Sequence, residues 1–351
     1  MRTMPHLTSH AVSALLLAGA ITLGARPAAA QTTVGGVVYA QFNYQSSDTA
    51  NHTNAFDITR AYINVLGRFG GGVGTRVTGD VYRNTDGSLA YRLKYAFVTW
   101  TPEGSPLTVK FGQMQTAFVD WEESLWNYRM QGTVAVDRYG YMSASDFGAG
   151  VDGTFDHDRF NFQAGVYNGE NYNKATGDRH KDLQARASYR LLGTDDGSRV
   201  GGLRITGYAQ LGAPTSGGQR NRFLGMLSYR SNDITFAAEY AATTDSTTGA
   251  AGGPASVAQR KGTVVSVYGV FHVPSTRFSL IGRMDVVDPN TAATSTTDKQ
   301  TRFIAGAAYQ LSPNLRLLAD VDHVGYQSGH TITAAEQVAQ TALLFQAMFT
   351  F

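Results

Sequence analysis

Apolar and polar residues alternate with a period of two over most of this chain. In the last segment, Leu343, Phe345, Ala347, Phe349 and Phe351 occupy one parity, and the other parity includes Gln346 and Thr350. Successive side chains of a β-strand point to opposite faces, so this alternation predicts strands that each have one apolar face. In further segments the formal charges also keep to a single parity.

About sixteen segments carry this pattern, and bacterial single-chain membrane barrels have an even number of antiparallel strands. The predicted strands lie near 34–45, 56–69, 74–83, 91–101, 107–114, 145–155, 160–168, 182–191, 203–211, 222–231, 234–243, 262–273, 277–287, 300–311, 315–326 and 341–351.

The connections between these segments alternate in length. Short turns such as 156–159 and 312–314 alternate with long polar loops such as 115–144 and 244–261. Membrane barrels have short periplasmic turns and longer extracellular loops. We therefore predict an all-β fold, a transmembrane antiparallel β-barrel of about 16 strands. The connection 192–202 is long where a short turn is expected, and the pattern gives no reason for it.

A soluble β-sandwich or propeller would also alternate. Neither fold needs the loop asymmetry, a signal peptide and an aromatic last strand together, and no repeat of propeller length is visible.

The first thirty residues predict a cleaved signal peptide. Arg2 precedes the uncharged apolar run 11–24, and Ala28, Ala29 and Ala30 form a small-residue cleavage site. The run is too short for a spanning helix, and such leaders are removed after export. We expect residues 31–351 to form one barrel domain in the bacterial outer membrane.

Composition narrows the possible functions. Removing Arg2 and Arg26 from 29 basic residues leaves 27, equal to the 27 acidic residues of the chain. A neutral mature chain argues against nucleic acid as a partner. The chain has no cysteine, which excludes disulfides and cysteine-based metal sites. No cofactor or metal cluster is expected, since the loop carboxylates have no specific metal-binding spacing.

Lipid-facing positions of a barrel must be apolar, so the other parity lines the lumen. Basic residues outnumber acidic ones at these positions, which predicts a preference for anions. The predicted pore-lining cations at mid-barrel height are Arg60, Lys94, Lys110, Arg186 and Arg283. The predicted cations on the periplasmic side of the lumen are Arg68, Arg76, Arg190, Arg204, Arg230, Arg277 and Arg316. The other predicted inward charges are Arg92, Arg222, Arg302, Asp80, Asp146, Asp152, Asp182, Glu239, Asp285, Asp320 and Asp322.

The loop 115–144 is too long and too aromatic to extend freely into water. We expect it to fold into the lumen and narrow the pore, with its acidic residues facing the mid-barrel arginines. An ordered extracellular cap is the alternative. The predicted constriction residues are Asp120, Trp121, Glu122, Glu123, Trp126, Tyr128 and Arg129.

About a third of the chain resembles the phosphate-selective porin O and P family. The resemblance rests on YAFVTWTP, KFGQMQTAF followed by Trp121-Glu122, Val136-Asp137-Arg138, SDFGAGVDGTF, FQAGVYNGE and the pair Arg60-Ala61. It implies a sixteen-stranded outer-membrane porin that forms a homotrimer and passes small anions or other small solutes. It also implies contact with outer-membrane lipid, lipopolysaccharide and the barrel-assembly machinery, for which the terminal Phe351 resembles the recognition signal.

The chain departs from that family in its pore charges. Phosphate-selective members line the pore with lysines, whereas here only Lys94 and Lys110 stand among many arginines. Arginine holds phosphate in a bidentate fashion and conduction needs weak binding, so we expect passive diffusion with a general lean to anions.

Two other functions remain open. One is a non-conducting adhesive or structural barrel. The other is an outer-membrane hydrolase, for which His323 beside Asp322 is the candidate. No G-x-S-x-G or H-E-x-x-H motif is present, which disfavours an enzyme.

Overall fold

The computed structural model describes residues 31–174, 178–214, 218–247, 258–292 and 297–351. The predicted signal peptide 1–30 lies outside them. Within these ranges, no helix is long and apolar enough to cross a membrane.

The described residues contain sixteen antiparallel strands in one closed barrel, in which β1 pairs with β16. The predicted fold class is thereby confirmed. The strands are β1 (Gln31–Gln45), β2 (Asn54–Arg68), β3 (Val73–Arg83), β4 (Leu89–Trp100), β5 (Leu107–Gln115), β6 (Ser145–Phe155), β7 (Phe160–Tyr167), β8 (Asp182–Leu192), β9 (Gly202–Leu211), β10 (Arg220–Arg230), β11 (Ile234–Thr247), β12 (Ala258–His272), β13 (Phe278–Asp288), β14 (Gln300–Ser312), β15 (Leu315–Tyr326) and β16 (Thr341–Thr350).

The described helices are short and lie in the connections. A 3-10 turn, Gly70–Gly72, joins β2 to β3. Helices α1 (Val119–Leu125) and α2 (Ala135–Arg138) lie between β5 and β6. Helix α3 (Ala334–Val338) precedes β16, and a capping box between Thr333 and Glu336 fixes its start.

The outer face of the barrel is apolar, as alternation requires. Large side chains on this face remain exposed in the isolated chain, where they would meet lipid. They include Phe56, Phe111, Phe223, Phe236, Phe303 and Phe345.

The barrel closes at the last residue. Phe351 N donates to Gly36 O (3.1 Å), and Gly36 N donates to Phe351 O (2.9 Å). The Phe351 ring lies over Gly36, where an added Cβ would be 2.4 Å from the ring Cζ. The same Cβ would be 2.5 Å from the main-chain oxygen of Tyr62, which cannot move aside as a ring can, so a side chain at this position would disturb both contacts.

Register shifts interrupt the strand pairing at four places among the described residues, and two of them lie in β1–β2 and β3–β4. The pairing shifts between Tyr39 and Ala40 leave Thr59 of β2 unpaired, and those between Thr78 and Gly79 leave Lys94 of β4 unpaired. A bulge changes which parity faces inward. As a result Lys94 and Tyr95, although adjacent, are both buried inside the barrel.

Candidate functional site

The connection between β5 and β6, residues 116–144, is here called the inner loop. Its backbone is bonded to inward side chains on separated strands: Arg186 of β8 donates to Ala117 O (3.1 Å) and Gln346 of β16 donates to Met130 O (2.7 Å). Phe118 and Trp126 have no solvent exposure. The inner loop is therefore packed inside the barrel.

An apolar seat on the barrel wall receives the inner loop. Inward-facing side chains of β10, β12 and β13 form one buried apolar cluster with the inner loop. The inward position of such residues could have been read from parity, although their contact with the inner loop could not. The seat includes Leu224, Met226, Val264, Tyr268 and Ile281.

Five wall arginines donate to main-chain carbonyls of the inner loop. Such bonds from a charged donor are stronger than bonds between neutral groups. The pairs are Arg186 with Ala117, Arg222 with Tyr141 (3.0 Å), Arg230 with Ser124, Arg283 with Thr133 (2.8 Å) and Arg316 with Asn127 (3.2 Å).

Aromatic rings of the inner loop lie beneath several of these guanidinium groups. The Arg186 Cζ is 4.1 Å from the ring centre of Trp121. For Arg283 over Trp126 the distance is 5.3 Å. Each contact adds a cation–π attraction to the hydrogen bond. The expectation that Arg186 and Arg283 line an open pore is wrong, because both are buried as anchors of the inner loop.

A basic strip is formed by Arg60, Arg76, Arg92 and Lys94 on β2, β3 and β4. Among the described residues, Asp80 is the one carboxylate paired with it, at 2.8 Å from Arg60 and 4.0 Å from Arg92. Cations therefore outnumber carboxylates along this part of the wall.

Tyrosines complete the basic strip. Lys94 Nζ donates to the Tyr62 hydroxyl (2.9 Å), and Arg92 donates to the Tyr172 hydroxyl (2.8 Å). The Arg76 guanidinium lies 4.5 Å from the Tyr95 ring centre. These neutral partners hold the side chains in place without cancelling their charge.

Two acidic residues of the inner loop form ion pairs with residues other than the expected mid-barrel arginines. Glu123 pairs with Arg129 of the same loop (2.6 Å). Glu122 is fully buried beside Glu239 of β11. Asp120 pairs with Arg199, which was not a predicted site residue (2.6 Å). The sequence predicts that these acids face the mid-barrel arginines, and Arg283 does lie close enough to Glu122 for their charges to interact. The ion-pair partners of Asp120 and Glu123 could not be predicted, because parity fixes the direction of strand side chains and not the course of a loop.

An open cavity of about 610 Å³ separates part of the inner loop from β1, β2 and β14–β16. Arg60 of the basic strip and Arg129 border it. Arg302 and Arg138 also border the cavity. Both pair with Asp322, at 2.7 Å for Arg302 and 3.3 Å for Arg138.

The remaining predicted cations either form ion pairs or lie at the turn end of the barrel. Lys110 pairs with Asp152 of β6. Arg204, predicted on the periplasmic side of the lumen, is fully buried and pairs with Asp158 (2.9 Å). At the turn end, Arg68 and Arg277 are exposed and Arg190 is half-buried. Arg190 donates to His157 O, and Arg277 donates to Leu311 O.

The candidate hydrolytic pair is not brought together. His323 Nδ1 lies 2.8 Å from Thr341 Oγ1. Asp322 instead accepts bonds from Arg302 and Gln131 inside the barrel. Within the part of the chain that the structure describes, no group of three His, Cys, Asp or Glu side chains is placed to hold a metal.

A closed sixteen-stranded barrel with an apolar outer face and a charged interior defines a transmembrane channel of the outer-membrane type. The Gram-negative porin model matches residues 11–329. The chain belongs to the Gram-negative porin family, and it is an outer-membrane porin for passive diffusion of small hydrophilic solutes. The porin resemblance is thereby confirmed.

Solved structures of similar fold include an anion-selective porin from Comamonas acidovorans, with 12% identity, TM-score 0.64 and coverage of 92% of this chain and 100% of that one. OmpF of Salmonella typhi in complex with daunomycin has 13% identity, TM-score 0.68 and coverage of 91% and 97%. The trimer form of OmpT from Vibrio cholerae has 12% identity, TM-score 0.61 and coverage of 92% and 99%. No curated protein matches the chain.

Proposed function

We propose that this porin favours small anions, and that they pass between the inner loop and the basic strip. The observation that carries this proposal is the excess of cations along β2–β4, with Arg60 and Arg129 on the same open cavity. A lumen lined by positive charge attracts anions and repels cations. The anion-selective porin of similar fold supports this choice.

The inner loop is the constriction of this passage. It occupies the side of the lumen formed by the apolar seat, so solutes are restricted to the remaining side. Glu123 and Arg129 face that side and set the local field together with the basic strip. Phosphate is one candidate permeant, and the bidentate grip of arginine argues for general anion passage over phosphate specificity.

We also propose how the porin is exported and assembled. Residues 1–30 direct export and are cleaved, and Phe351 is read by the barrel-assembly machinery. The mature barrel contacts lipid and lipopolysaccharide and forms a homotrimer, as in the trimer form of OmpT. Channel activity without hydrolysis is proposed, because His323 and Asp322 have separate partners.

Single-channel recording of the refolded protein in a planar bilayer tests the proposal. We expect stepwise openings in groups of three. A silent membrane would favour the adhesive or structural barrel. A lipid-hydrolysis assay on the same preparation tests the enzyme alternative, and turnover that His323→Ala abolishes would contradict channel activity alone.

A further inference from the structure

The connection between β8 and β9, residues 193–201, is here called the long turn. It replaces the short turn that the alternation of loop lengths predicts, and its length had no explanation in the sequence. Its Val200 is buried in the cluster that contains the inner loop and the apolar seat. The long turn therefore extends into the barrel.

Arg199 of the long turn holds α1. Its guanidinium donates to Asp120 O (2.8 Å), to Asp120 Oδ2 (2.6 Å) and to Ser124 Oγ (2.7 Å). Asp120 and Ser124 are four residues apart, so they lie on one face of α1. The same guanidinium lies 5.9 Å from the ring centre of Trp121.

The long turn is itself fixed to the barrel. Asp196 accepts from Arg230 Nε (2.5 Å), and Asp195 accepts from the Asn232 main-chain N–H (3.0 Å). Thr194 donates to Arg230 O (2.5 Å). Since Arg230 also donates to Ser124 O, the long turn, the end of β10 and α1 form one connected hydrogen-bond network.

The charge state of this contact suits a permanent link. Burial opposes the charge of Asp120, but the charge of Arg199 and its hydrogen bond outweigh burial and lower the pKa of Asp120 to about 2. The Arg199 side chain is half exposed. Arg199 lies outside the sixteen paired strands, so we expect the barrel to stay folded when this ion pair is removed.

We propose that the long turn is a bracket that fixes α1 from the turn end of the barrel, and that Arg199 is the positioning residue that sets the width of the passage. The effect on the passage rests on the proposed function. The contact with α1 does not. Without Arg199, α1 keeps its apolar seat but loses the support that prevents movement of its exposed face toward the basic strip.

Amide hydrogen exchange of the full-length refolded protein in detergent tests the bracket directly. In Arg199→Ala and in the milder Arg199→Gln we expect exchange of α1 amides to rise by about tenfold or more, while the strand amides keep their protection. Arg159→Ala is the matched control. Arg159 is also half exposed in a turn, lies near a carboxylate (Asp156, 3.9 Å) and faces a ring, that of Tyr189 (5.5 Å). It has no recorded contact with the inner loop within the described residues.

Unchanged α1 exchange in both Arg199 variants, or an equal rise in Arg159→Ala, would overturn the bracket. Voltage-clamp recording then tests the passage. We expect the Arg199 variants to close at lower voltage and with noisier open current than Arg159→Ala. If the Arg199 variants gate like Arg159→Ala although their α1 amides exchange faster, the proposed effect of Arg199 on the width of the passage would be overturned. A wild-type protein that does not conduct while Arg199→Ala loosens α1 would contradict the proposed function and leave the bracket standing.

Discussion

At the residue scale, inward arginines of this barrel do two different kinds of work. Arg186 and Arg283 anchor the inner loop and are buried, whereas Arg60 and Arg92 keep about a quarter of their side-chain surface exposed. Parity in the sequence predicts that all four point inward, and it cannot separate them, because the difference depends on where the inner loop lies. A count of inward charges therefore overstates the charge that a permeating ion meets.

Glu122 gives a prediction about pH. Burial and the neighbouring Glu239 raise the pKa of Glu122 well above its usual range. A raised pKa in the folded state stabilises the docked loop at low pH, and this stability is lost as the pH rises through the raised value. Once corrected for intrinsic exchange, we expect α1 exchange in the wild type to accelerate as the pH rises above the usual range of a glutamic acid, and to change less in Glu122→Gln. Parallel pH profiles would contradict this assignment.

The contact between Phe351 and Gly36 predicts an assembly defect. Gly36→Val places a side chain where the terminal ring lies, and such overpacking costs about 1–3 kcal/mol. Both Gly36→Val and a chain that ends at Thr350 should give less heat-stable, surface-exposed protein than the wild type. Gly207→Val is the control, because nothing lies within 4 Å of the added Cβ there. Normal yield of the truncated chain would argue against a role of Phe351 in assembly.

At the element scale, period-two alternation predicts the strands well and their ends less well. The described β12 begins at Ala258, before the predicted start near 262, because the polar extension of the strand beyond the membrane carries no apolar signal. The bulge at Lys94 is also invisible to alternation. The inner loop could be predicted from its aromatic content, but not its partners, since these come from strands far away in sequence.

Excision of the inner loop tests its role as the constriction. Replacing residues 119–140 by a short Gly/Ser linker should raise single-channel conductance by roughly twofold or more and admit larger sugars, because the lumen loses its main obstruction. Liposome swelling with sugars of increasing size measures this effect. Exchange protection of the strands checks that the barrel persists. Unchanged conductance in a folded variant would contradict the constriction.

At the scale of the whole molecule, ion preference depends on the arrangement of charge and not on its sum. The chain carries a formal charge of +2, and its mature part is neutral if residues 1–30 are removed. The cations of the basic strip lie on one side of the proposed passage, and those of the anchors are bonded to the inner loop. This separation is a property of the folded barrel that composition cannot reveal.

The reversal potential across a planar bilayer in a KCl gradient is the most direct test of the central claim. We predict a potential whose sign shows chloride permeating faster than potassium, and a clear shift toward potassium in Arg60→Gln with Arg92→Gln. Arg159→Gln, which changes the same charge in a turn, should leave the potential unchanged. Anion passage along the basic strip would be contradicted if the wild type prefers potassium. It would also be contradicted if the double variant has the same reversal potential as the wild type.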